Sequence, residues 1–463
     1  MTDRSPSEDA QPSALQTLLH GRLGLPGGGA TWTPDFCALI VYVWTIHSYK
    51  APIGFAAVLV LLASLVLGGR RIRCPAPVLF FGLFLVWATL GSLTSNYWPT
   101  VSDRLIDFWK IWLIFFGAVN VLGTRSQIRT FLVVYLGIFA LYPVRGILYN
   151  IVTGQDHMGR YAWNFVFSNP NDFATLTILM LGLTVVALQS ATRGWQRAGA
   201  AAGMLILPLC VMFTQSRAGF LGLALFAVLL LLRSRPNLRV IALLVVAAGA
   251  VVLFAPSSVW ERIGGMYEMP TDASAHDRYT IWKVAAAIIS DHPLFGIGLG
   301  AYPDAHFDYS LLRAEWANVQ GKWATHSTWL SITAETGIPG LLLYLAMLGS
   351  VFRRIALVRR RLPAQFEEWR FDLRYLEAGL AGFMMCASFG VYQSLPYLYL
   401  YLAFAWVLAG MFEDGTQLSD LPRRAASPPS HQPSAMPTAS PGVPTASPLA
   451  IATSAVPPTR PIA

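Results

Sequence analysis

Residues 70–94 read RRIRCPAPVLFFGLFLVWATLGSLT, in which a cluster of arginines precedes an apolar run without a charged side chain. A helix needs about 20 apolar residues to cross the hydrocarbon core of a bilayer, and the run from residue 75 to residue 94 has that length. Short loops that are rich in Lys and Arg stay on the cytoplasmic side of a membrane. This stretch therefore predicts a transmembrane helix that begins at the cytoplasmic face.

The same alternation of apolar runs and basic loops continues along the chain. Apolar runs predict membrane spans at 35–48, 51–69, 75–94, 104–122, 130–151, 172–191, 199–215, 218–232, 239–256, 338–353, 375–393 and 396–412. Basic residues cluster after the second, fourth, sixth, eighth and tenth of these runs. If the N-terminus is cytoplasmic, every even-numbered helix also ends in the cytoplasm, where Lys and Arg are retained. We therefore expect an all-α polytopic membrane protein of about 12 transmembrane helices, with both termini cytoplasmic.

The composition agrees with extensive contact with lipid. Of the 463 residues, 55% are hydrophobic and 12% are charged, whereas a soluble domain carries about 25% charged residues. The formal net charge of +9 is spread over clusters that membrane-length runs separate, which argues against a nucleic-acid-binding surface. The four cysteines are scattered along the chain and indicate neither a disulfide framework nor a metal cluster.

The spans and the segments between them predict five regions. Residues 1–30 form a cytoplasmic N-terminal segment, 31–254 hold transmembrane helices 1–9, 255–337 form a long extracytoplasmic loop, 338–413 hold helices 10–12, and 414–463 form a cytoplasmic tail. The loop contains many aromatic and charged residues, so we expect it to be ordered and partly helical. The tail is rich in Pro, Ser, Ala and Thr, a composition that cannot offset the entropy of ordering, so we expect it to be disordered.

Two motifs place arginines on the extracytoplasmic side of this topology. Residues 214–219 read TQSRAG, with Arg217 between two spans. A guanidinium binds phosphate bidentately and stays charged, although an arginine here could instead only extend to the lipid headgroups. Residues 276–282 read HDRYTIW; Asp277 suits the first turn of a helix and Arg278 projects nearby, with a surface ion pair as the alternative.

A third motif, THSTWL at residues 325–330, places His326 at the outer membrane boundary. A histidine there is either a structural hydrogen-bond donor or a general base with a pKa near the working pH. Glu335 is the next acidic residue and could partner a helix end. Residues 337–340, GIPG, stop one helix and start the next. The glycines of residues 293–300, PLFGIGLG, indicate turns and close packing, because no βαβ context surrounds them.

Further polar groups lie on the same predicted face. They include Arg160 and residues 168–172, SNPND, which predict a turn that caps the following helix. The long loop contains no paired carboxylates and no His/Cys cluster of the kind that holds a divalent metal. We therefore expect neither a metal nor a cofactor, and arginines as the electrophilic groups.

Taken in order, the three motifs resemble the O-antigen ligase and polymerase family of bacterial envelope proteins. The resemblance rests on residues 215–219, on 278–282 with 293–300, and on 326–340. It implies an inverting, metal-independent glycosyltransferase of the GT-C type in the bacterial inner membrane, with its active site facing the periplasm. The implied donor is O-antigen on undecaprenyl pyrophosphate, and the implied acceptor is the lipid A-core oligosaccharide.

The resemblance also implies roles for individual residues. Arg217 and Arg278 would hold the donor pyrophosphate, and His326 would activate the acceptor hydroxyl. Supporting roles at the same site are expected for the remaining polar residues of these motifs and of the neighbouring loop. These are Arg160, Asp277, Tyr279 and Glu335.

Several alternatives stay open. An O-antigen polymerase and a protein O-oligosaccharyltransferase share the chemistry; we expect no further periplasmic domain after the last helix, which disfavours the second. A transporter of lipid-linked glycans would need charges inside the helices, and Asp107 and Lys110 only lie near a span. A membrane scaffold without catalysis would leave the two arginines and the histidine unexplained.

Overall fold

The computed structural model describes residues 31–48, 51–68, 72–156, 159–163, 169–191, 193–233, 249, 273–363 and 366–414. They all lie in the first of two structural units, Met1–Leu421, and the second unit, Pro422–Ala463, lies outside the described residues. Also outside them are the predicted N-terminal segment 1–30, most of the predicted ninth span, the first part of the long loop and nearly all of the predicted tail.

The described ranges consist of helices and loops, without a strand. The α-helices are α1 (Pro34–Ser48), α2 (Ala51–Leu67), α3 (Ala76–Ser92), α4 (Trp98–Val121), α5 (Arg125–Phe139), α6 (Arg145–Thr153), α7 (Pro170–Ser190), α8 (Gly194–Phe213), α9 (Arg217–Arg233), α10 (Ala273–Asp291), α11 (Tyr302–Ser310), α12 (Thr328–Arg361), α13 (Glu367–Ala387) and α14 (Pro396–Asp414). A π-helical turn, Ala140–Val144, joins α5 to α6, and a 3-10 helix, Ala314–Val319, follows α11. Several helices begin earlier than the predicted spans, because hydropathy marks only the part of a helix that lies in lipid.

Four helices in the described part of the chain are long and apolar enough to cross a bilayer: Arg125–Thr153, Pro170–Ser190, Gly194–Phe213 and Thr328–Arg361. Shorter apolar helices cover Pro52–Leu67, Ala76–Ser92, Arg217–Leu232 and Pro396–Phe412. The prediction of a helical membrane protein is confirmed. A helix suits lipid because it satisfies its own backbone N–H and C=O groups. Twelve crossings remain a prediction.

Helix α7 is buried along most of its length, from Phe173 to Val186. It packs against α8 and α13. Glycines allow this close approach: Gly182 of α7 faces Gly379 of α13, and a Cβ on either would come within 3 Å of the Tyr401 hydroxyl. Small residues at such contacts let helix backbones approach each other in lipid, where close packing replaces the hydrophobic effect.

The span predicted at 130–151 is not one uninterrupted α-helix. Pro143 lies inside the π-helical turn between α5 and α6. Proline lacks an N–H group and its ring displaces the carbonyl four residues before it, so the hydrogen-bond ladder widens locally. The helix then continues as α6 to Gly154, whose φ of 69° gives the left-handed conformation that commonly ends a helix.

The predicted site residues and the basic clusters lie at opposite ends of their helices. Arg217 begins α9, and His326 directly precedes the cap of α12. The same two helices end at Arg233 and Arg361. Because both helices are apolar over most of their length, one end of the bundle carries the candidate site and the other carries the basic loops.

Helix α12 bends at Gly337, as the GIPG motif predicts. Gly337 has φ 72° and ψ 179°, a combination that is almost confined to glycine. The loop after α10 fills the bend: the N–H of Ile338 donates to the Pro293 carbonyl at 2.8 Å. A Cβ on Gly337 would collide with the carbonyl of Leu294. The bend and the loop that occupies it therefore require each other.

Replacing Gly337 by Ala should lower the free energy of unfolding by on the order of 1–3 kcal/mol through backbone strain alone, and the collision adds to that loss. Circular dichroism of the full chain in detergent measures this as a lower unfolding midpoint. Gly349→Ala is the matched control, because Gly349 lies in the same helix and no atom lies within 4 Å of an added Cβ. Equal midpoints for the two variants would contradict the requirement for glycine at the bend.

Candidate functional site

Arg217 is the first residue of α9 and directly follows a tight turn. Helix α8 ends at Phe213, and the next three residues make the turn. Gln215 in this turn has a φ of 50°, which costs a non-glycine residue energy unless its surroundings hold it. The Nε2 of Gln215 donates to the Gly159 carbonyl at 2.8 Å. The turn thereby fixes Arg217 at a helix N-terminus, where the helix dipole also favours an anion.

Arg160 ties this turn to the start of α7. Its Nε donates to the Thr214 carbonyl at 2.9 Å, and its Nη2 donates to the Asn171 side-chain oxygen at 2.8 Å. The predicted cap of α7 is confirmed at Asn169, whose side-chain oxygen accepts from the N–H of Asn171 at 2.9 Å. Arg160 therefore bridges the Arg217 turn and the capped end of α7.

His326 stands in a second strained turn, just before α12. Its φ is 50°, and within the described ranges His326 and Gln215 are the two non-glycine residues with a positive φ. Thr325 holds the turn, because its Oγ1 donates to the Ser327 carbonyl at 2.8 Å and accepts from the Ser327 N–H at 3.3 Å. Ser327 then caps α12 with its side chain. Strained residues of this kind cluster at functional sites.

Arg278 lies close enough to His326 for its charge to act on the imidazole. The Nε1 of Trp282 in α10 donates to the Thr325 carbonyl at 3.0 Å, and residues 278 and 282 lie one turn apart on the same helix face. Burial lowers the pKa of His326 below its ordinary value, and the positive charge of Arg278 lowers this pKa further. The imidazole is therefore neutral at neutral pH and able to accept a proton.

The end of α13 and the loop that follows it connect the starts of α9 and α12. The carbonyl of Ala218, the residue after Arg217, accepts a hydrogen bond from the Cys386 thiol at 3.2 Å. At the other side of this loop, the N–H of Tyr392 donates to Oγ1 of Thr328, at 2.9 Å. The turn that carries Arg217 and the helix start that follows His326 are thus held by the same segment.

Tyr392 and Asp172 belong to the neighbourhood of Arg278, although the sequence motifs assign neither of them to the site. Burial raises the pKa of Tyr392, the negative charge of Asp172 raises it further, and the positive charge of Arg278 lowers it. Tyr392 is therefore within electrostatic reach of both Arg278 and Asp172. No local pattern marks Tyr392, because only the packing of the loop after α13 brings it here. In the sequence Asp172 belongs to the turn that caps a helix, so the pattern does not mark it as a site residue.

Asp277 and Tyr279 also lie in α10, but the contacts described for them are with groups other than Arg278 and His326. Asp277 lies in the second turn and not in the first, so that expectation is wrong; the alanines at 273 and 275 extend the helix upstream. Its Oδ1 accepts from Asn318 of the 3-10 helix at 2.8 Å. Tyr279 is 58% exposed, and the Lys283 ammonium lies 4.6 Å from the centroid of its ring.

The Glu335 carboxylate accepts hydrogen bonds at a helix end, which is the start of α11. This carboxylate accepts from the Ser331 hydroxyl at 3.1 Å and from the backbone N–H groups of Gly300 and Tyr302. The loop after α10 packs on the α12 backbone, as the glycines of this loop predict. Gly296 has a φ of 69°, and a Cβ there would collide with the backbone of Glu335. Glu335 thus fastens the loop after α10 to the helix that follows His326.

The structure is that of a helical membrane protein whose candidate site, at one end of the bundle, places Arg217 at a helix start and His326 within electrostatic reach of Arg278. In the part of the chain that the structure describes, no three His, Cys, Asp or Glu residues are grouped to hold a metal ion. A family model described as O-antigen ligase matches residues 202–345, about a third of the chain. The matched segment contains Arg217, Arg278 and His326, so the resemblance to the O-antigen ligase family that the motifs predict is confirmed over residues 202–345. No curated protein matches the chain.

The neutral state of His326 can be tested by titration. We expect its imidazole to take up a proton only below the ordinary histidine pKa of about 6.5, since burial and the charge of Arg278 both disfavour the charged form. Arg278→Gln removes the nearby charge and should raise this pKa. The measurement is an NMR titration of the full chain labelled at histidine, with His326→Ala to assign the signal.

The control for this titration is Lys283→Gln, which removes a positive charge from an exposed position of the same helix. It should leave the pKa of His326 nearly unchanged, because exposed charges are screened by solvent and salt. Identical His326 titrations in the Arg278→Gln variant and the native chain would show that the two groups are not neighbours.

Proposed function

We propose that this chain is an O-antigen ligase, which transfers O-antigen from undecaprenyl pyrophosphate to the lipid A-core oligosaccharide at the periplasmic face of the inner membrane. One observation carries the proposal: His326 stands in a strained turn within electrostatic reach of the Arg278 guanidinium, at the end of the bundle where Arg217 begins α9. The family match over residues 202–345 supports the reaction class.

In the proposed reaction the acceptor hydroxyl attacks the anomeric carbon of the donor sugar. A new C–O bond forms opposite the leaving group while the bond to the pyrophosphate oxygen breaks, so the anomeric configuration inverts. The hydroxyl proton passes to a ring nitrogen of His326, and undecaprenyl pyrophosphate leaves with the electron pair of the broken bond. General base catalysis of this kind contributes about 10²–10⁴-fold to a rate.

The arginines act on the leaving group. Negative charge grows on the pyrophosphate as the glycosidic bond breaks, so a guanidinium near it stabilises the transition state more than the ground state. Arg217 stands at the N-terminus of α9, whose backbone N–H groups favour the same anion. Arg278 would bind from the periplasmic loop. With two arginines in these positions, we expect an inverting GT-C-type transfer that needs no metal.

Arg278 couples donor binding to the strength of the base. In the described chain its charge lowers the pKa of His326. A bound pyrophosphate offsets that charge, so the pKa of His326 rises towards its ordinary value when the donor arrives. The histidine is thus kept unprotonated before binding and becomes more basic once the donor is in place. Asp172, which acts on Tyr392 together with Arg278, supports the same balance of charge.

The proposed orientation follows from the basic ends of the helices. Helices α9 and α12 end at Arg233 and Arg361, away from the candidate site. Lys and Arg near the ends of transmembrane helices favour the cytoplasm, so the end with His326 would face the periplasm. A lipid-linked donor would then reach the site from the outer leaflet, with its polyprenyl chain along the helices.

Reconstitution of the full chain with undecaprenyl-pyrophosphate-linked O-antigen and lipopolysaccharide lacking O-antigen tests the proposal. We expect a glycan ladder on the lipid A-core, unchanged by EDTA. Longer glycans that stay on undecaprenyl would identify a polymerase instead. Glycan on Ser or Thr of an added protein would identify a protein O-oligosaccharyltransferase. Activity that is lost with EDTA and restored by Mg²⁺ would contradict the metal-free reaction.

His326→Asn removes the base but keeps a residue that tolerates positive φ, so the strained turn is preserved. We expect transfer to fall about 10²–10⁴-fold, measured as the initial rate of ladder formation. The control is His292→Asn, since His292 is an exposed histidine of the same loop. Native rates in the His326→Asn variant would remove His326 from the mechanism.

Arg217→Lys and Arg278→Lys keep the positive charge but lose the planar pair of N–H groups that matches a phosphate. We expect both variants to transfer glycan at least about tenfold more slowly than the native chain, since each charged hydrogen bond contributes roughly 1.5–3 kcal/mol. Arg313→Lys, at an exposed position of the loop, should keep the native rate. Native rates in both site variants would argue against bidentate contact with the pyrophosphate.

A further inference from the structure

An elongated cavity of about 490 Å³ lies at the end of the bundle opposite to His326. It runs between α5 with its π-helical turn on one side and the end of α7 and the first two thirds of α8 on the other. Apolar side chains form most of its wall, among them Leu132, Leu136, Phe139, Ile206 and Leu207. The candidate glycosyl-transfer site contributes no residue to it.

The cavity has the length of a lipid chain. Its lining extends along α5 and the π-helical turn from Arg129 to Val144, a distance of about 22 Å at the helical rise of 1.5 Å per residue. Half of the hydrocarbon core of a bilayer is about 15 Å thick, so the groove is long enough to hold an acyl chain that crosses one leaflet. A volume of this size spread over such a length is a narrow groove parallel to the helices, which suits an extended acyl chain.

The half-buried side chain of Arg129 lies at one end of the groove. Arg129 lines it, and the Nε and Nη2 atoms of this side chain are buried without a hydrogen-bond partner. A buried charge is costly unless an opposite charge and hydrogen bonds compensate it. None of the cavity-lining residues that the structure describes is an Asp or a Glu. The groove thus combines an apolar wall with a cation that its own lining does not neutralise.

The mouth of the groove has the features of a membrane interface. Trp195, the second residue of α8, lines the cavity and is 60% exposed. Tryptophan is enriched at the level of the lipid headgroups. Arg129 lies one turn after the first residue of α5, at the same end of the bundle. The guanidinium and the indole therefore stand where the headgroup of a lipid in the groove would lie.

We propose that this groove binds an anionic glycerophospholipid, with the phosphate on Arg129 and an acyl chain along α5 and α8. Arginine binds phosphate through paired N–H groups, and basic pockets between membrane helices on the cytoplasmic side are suited to anionic headgroups. Bound lipid fills the groove and neutralises Arg129. The site is independent of the proposed glycosyl transfer, because it shares no residue with it.

The test is native mass spectrometry of the full chain in detergent, titrated with phosphatidylglycerol or with phosphatidylcholine of the same acyl chains. We expect one phosphatidylglycerol to be retained at lower lipid concentration than phosphatidylcholine. Arg129→Gln should weaken phosphatidylglycerol binding about tenfold or more, since it removes charged hydrogen bonds, and should leave phosphatidylcholine binding unchanged. Arg353→Gln, at an exposed position of α12 outside the cavity, should bind as the native chain does.

A second pair of variants tests the groove itself and keeps the proposal open to refutation if Arg129→Gln does not fold. Gly199 lines the cavity with open space around its Cβ position, so Gly199→Leu should fill the groove and weaken the binding of both lipids. Gly194→Leu, on the same helix but outside the cavity, should not. Native binding by Gly199→Leu would overturn the proposal.

Two further outcomes would also overturn it. Equal affinity of the native chain for the two lipids would mean that the guanidinium does not select a headgroup. Tighter, Arg129-dependent binding of undecaprenyl phosphate than of phosphatidylglycerol would assign the groove to a polyprenyl carrier and not to a glycerophospholipid.

Discussion

The candidate site depends on the backbone contact between the loop after α10 and the bend of α12. The N–H groups of Gly298 and Ile338 donate across this contact to the carbonyls of Glu335 and Pro293, at 3.0 and 2.8 Å. Two backbones can approach this closely only where a residue has no side chain. In α12 that residue is Gly337. Together with the hydrogen bond from Trp282 to the Thr325 carbonyl, this contact holds α10, and with it Arg278, against the turn that carries His326.

The same contact helps to bring the positive charge of Arg278 close to the imidazole of His326. A positive group next to a histidine is unfavourable for the charged imidazole, and burial adds to that effect. The cost is small because the histidine simply remains neutral, which is the form a general base requires. The turns at Gln215 and His326 have strained backbones that their surroundings already hold before any ligand arrives. Little further ordering is therefore needed on binding.

Arginines at the two ends of the bundle illustrate how the same side chain serves different surroundings. At one end Arg217 stands at the start of a membrane helix and Arg278 in the second turn of a loop helix. At the other end Arg129 is set into an apolar groove. In both proposals the ligand is an anion that carries a hydrocarbon chain, so one molecule would satisfy the charge and the apolar wall together.

Much of the fold could be predicted from sequence, because lipid forces each apolar run to satisfy its own backbone as a helix. The break at Gly337 and the cap at Asn169 were equally readable, since both depend on neighbours in the chain. The bounds of the helices were not, because hydropathy does not mark polar first turns. Tyr392, Asp172, the bridge made by Arg160 and the groove at Arg129 arise from segments far apart in sequence. Only tertiary packing brings such segments together, so it alone decided which polar residues become neighbours.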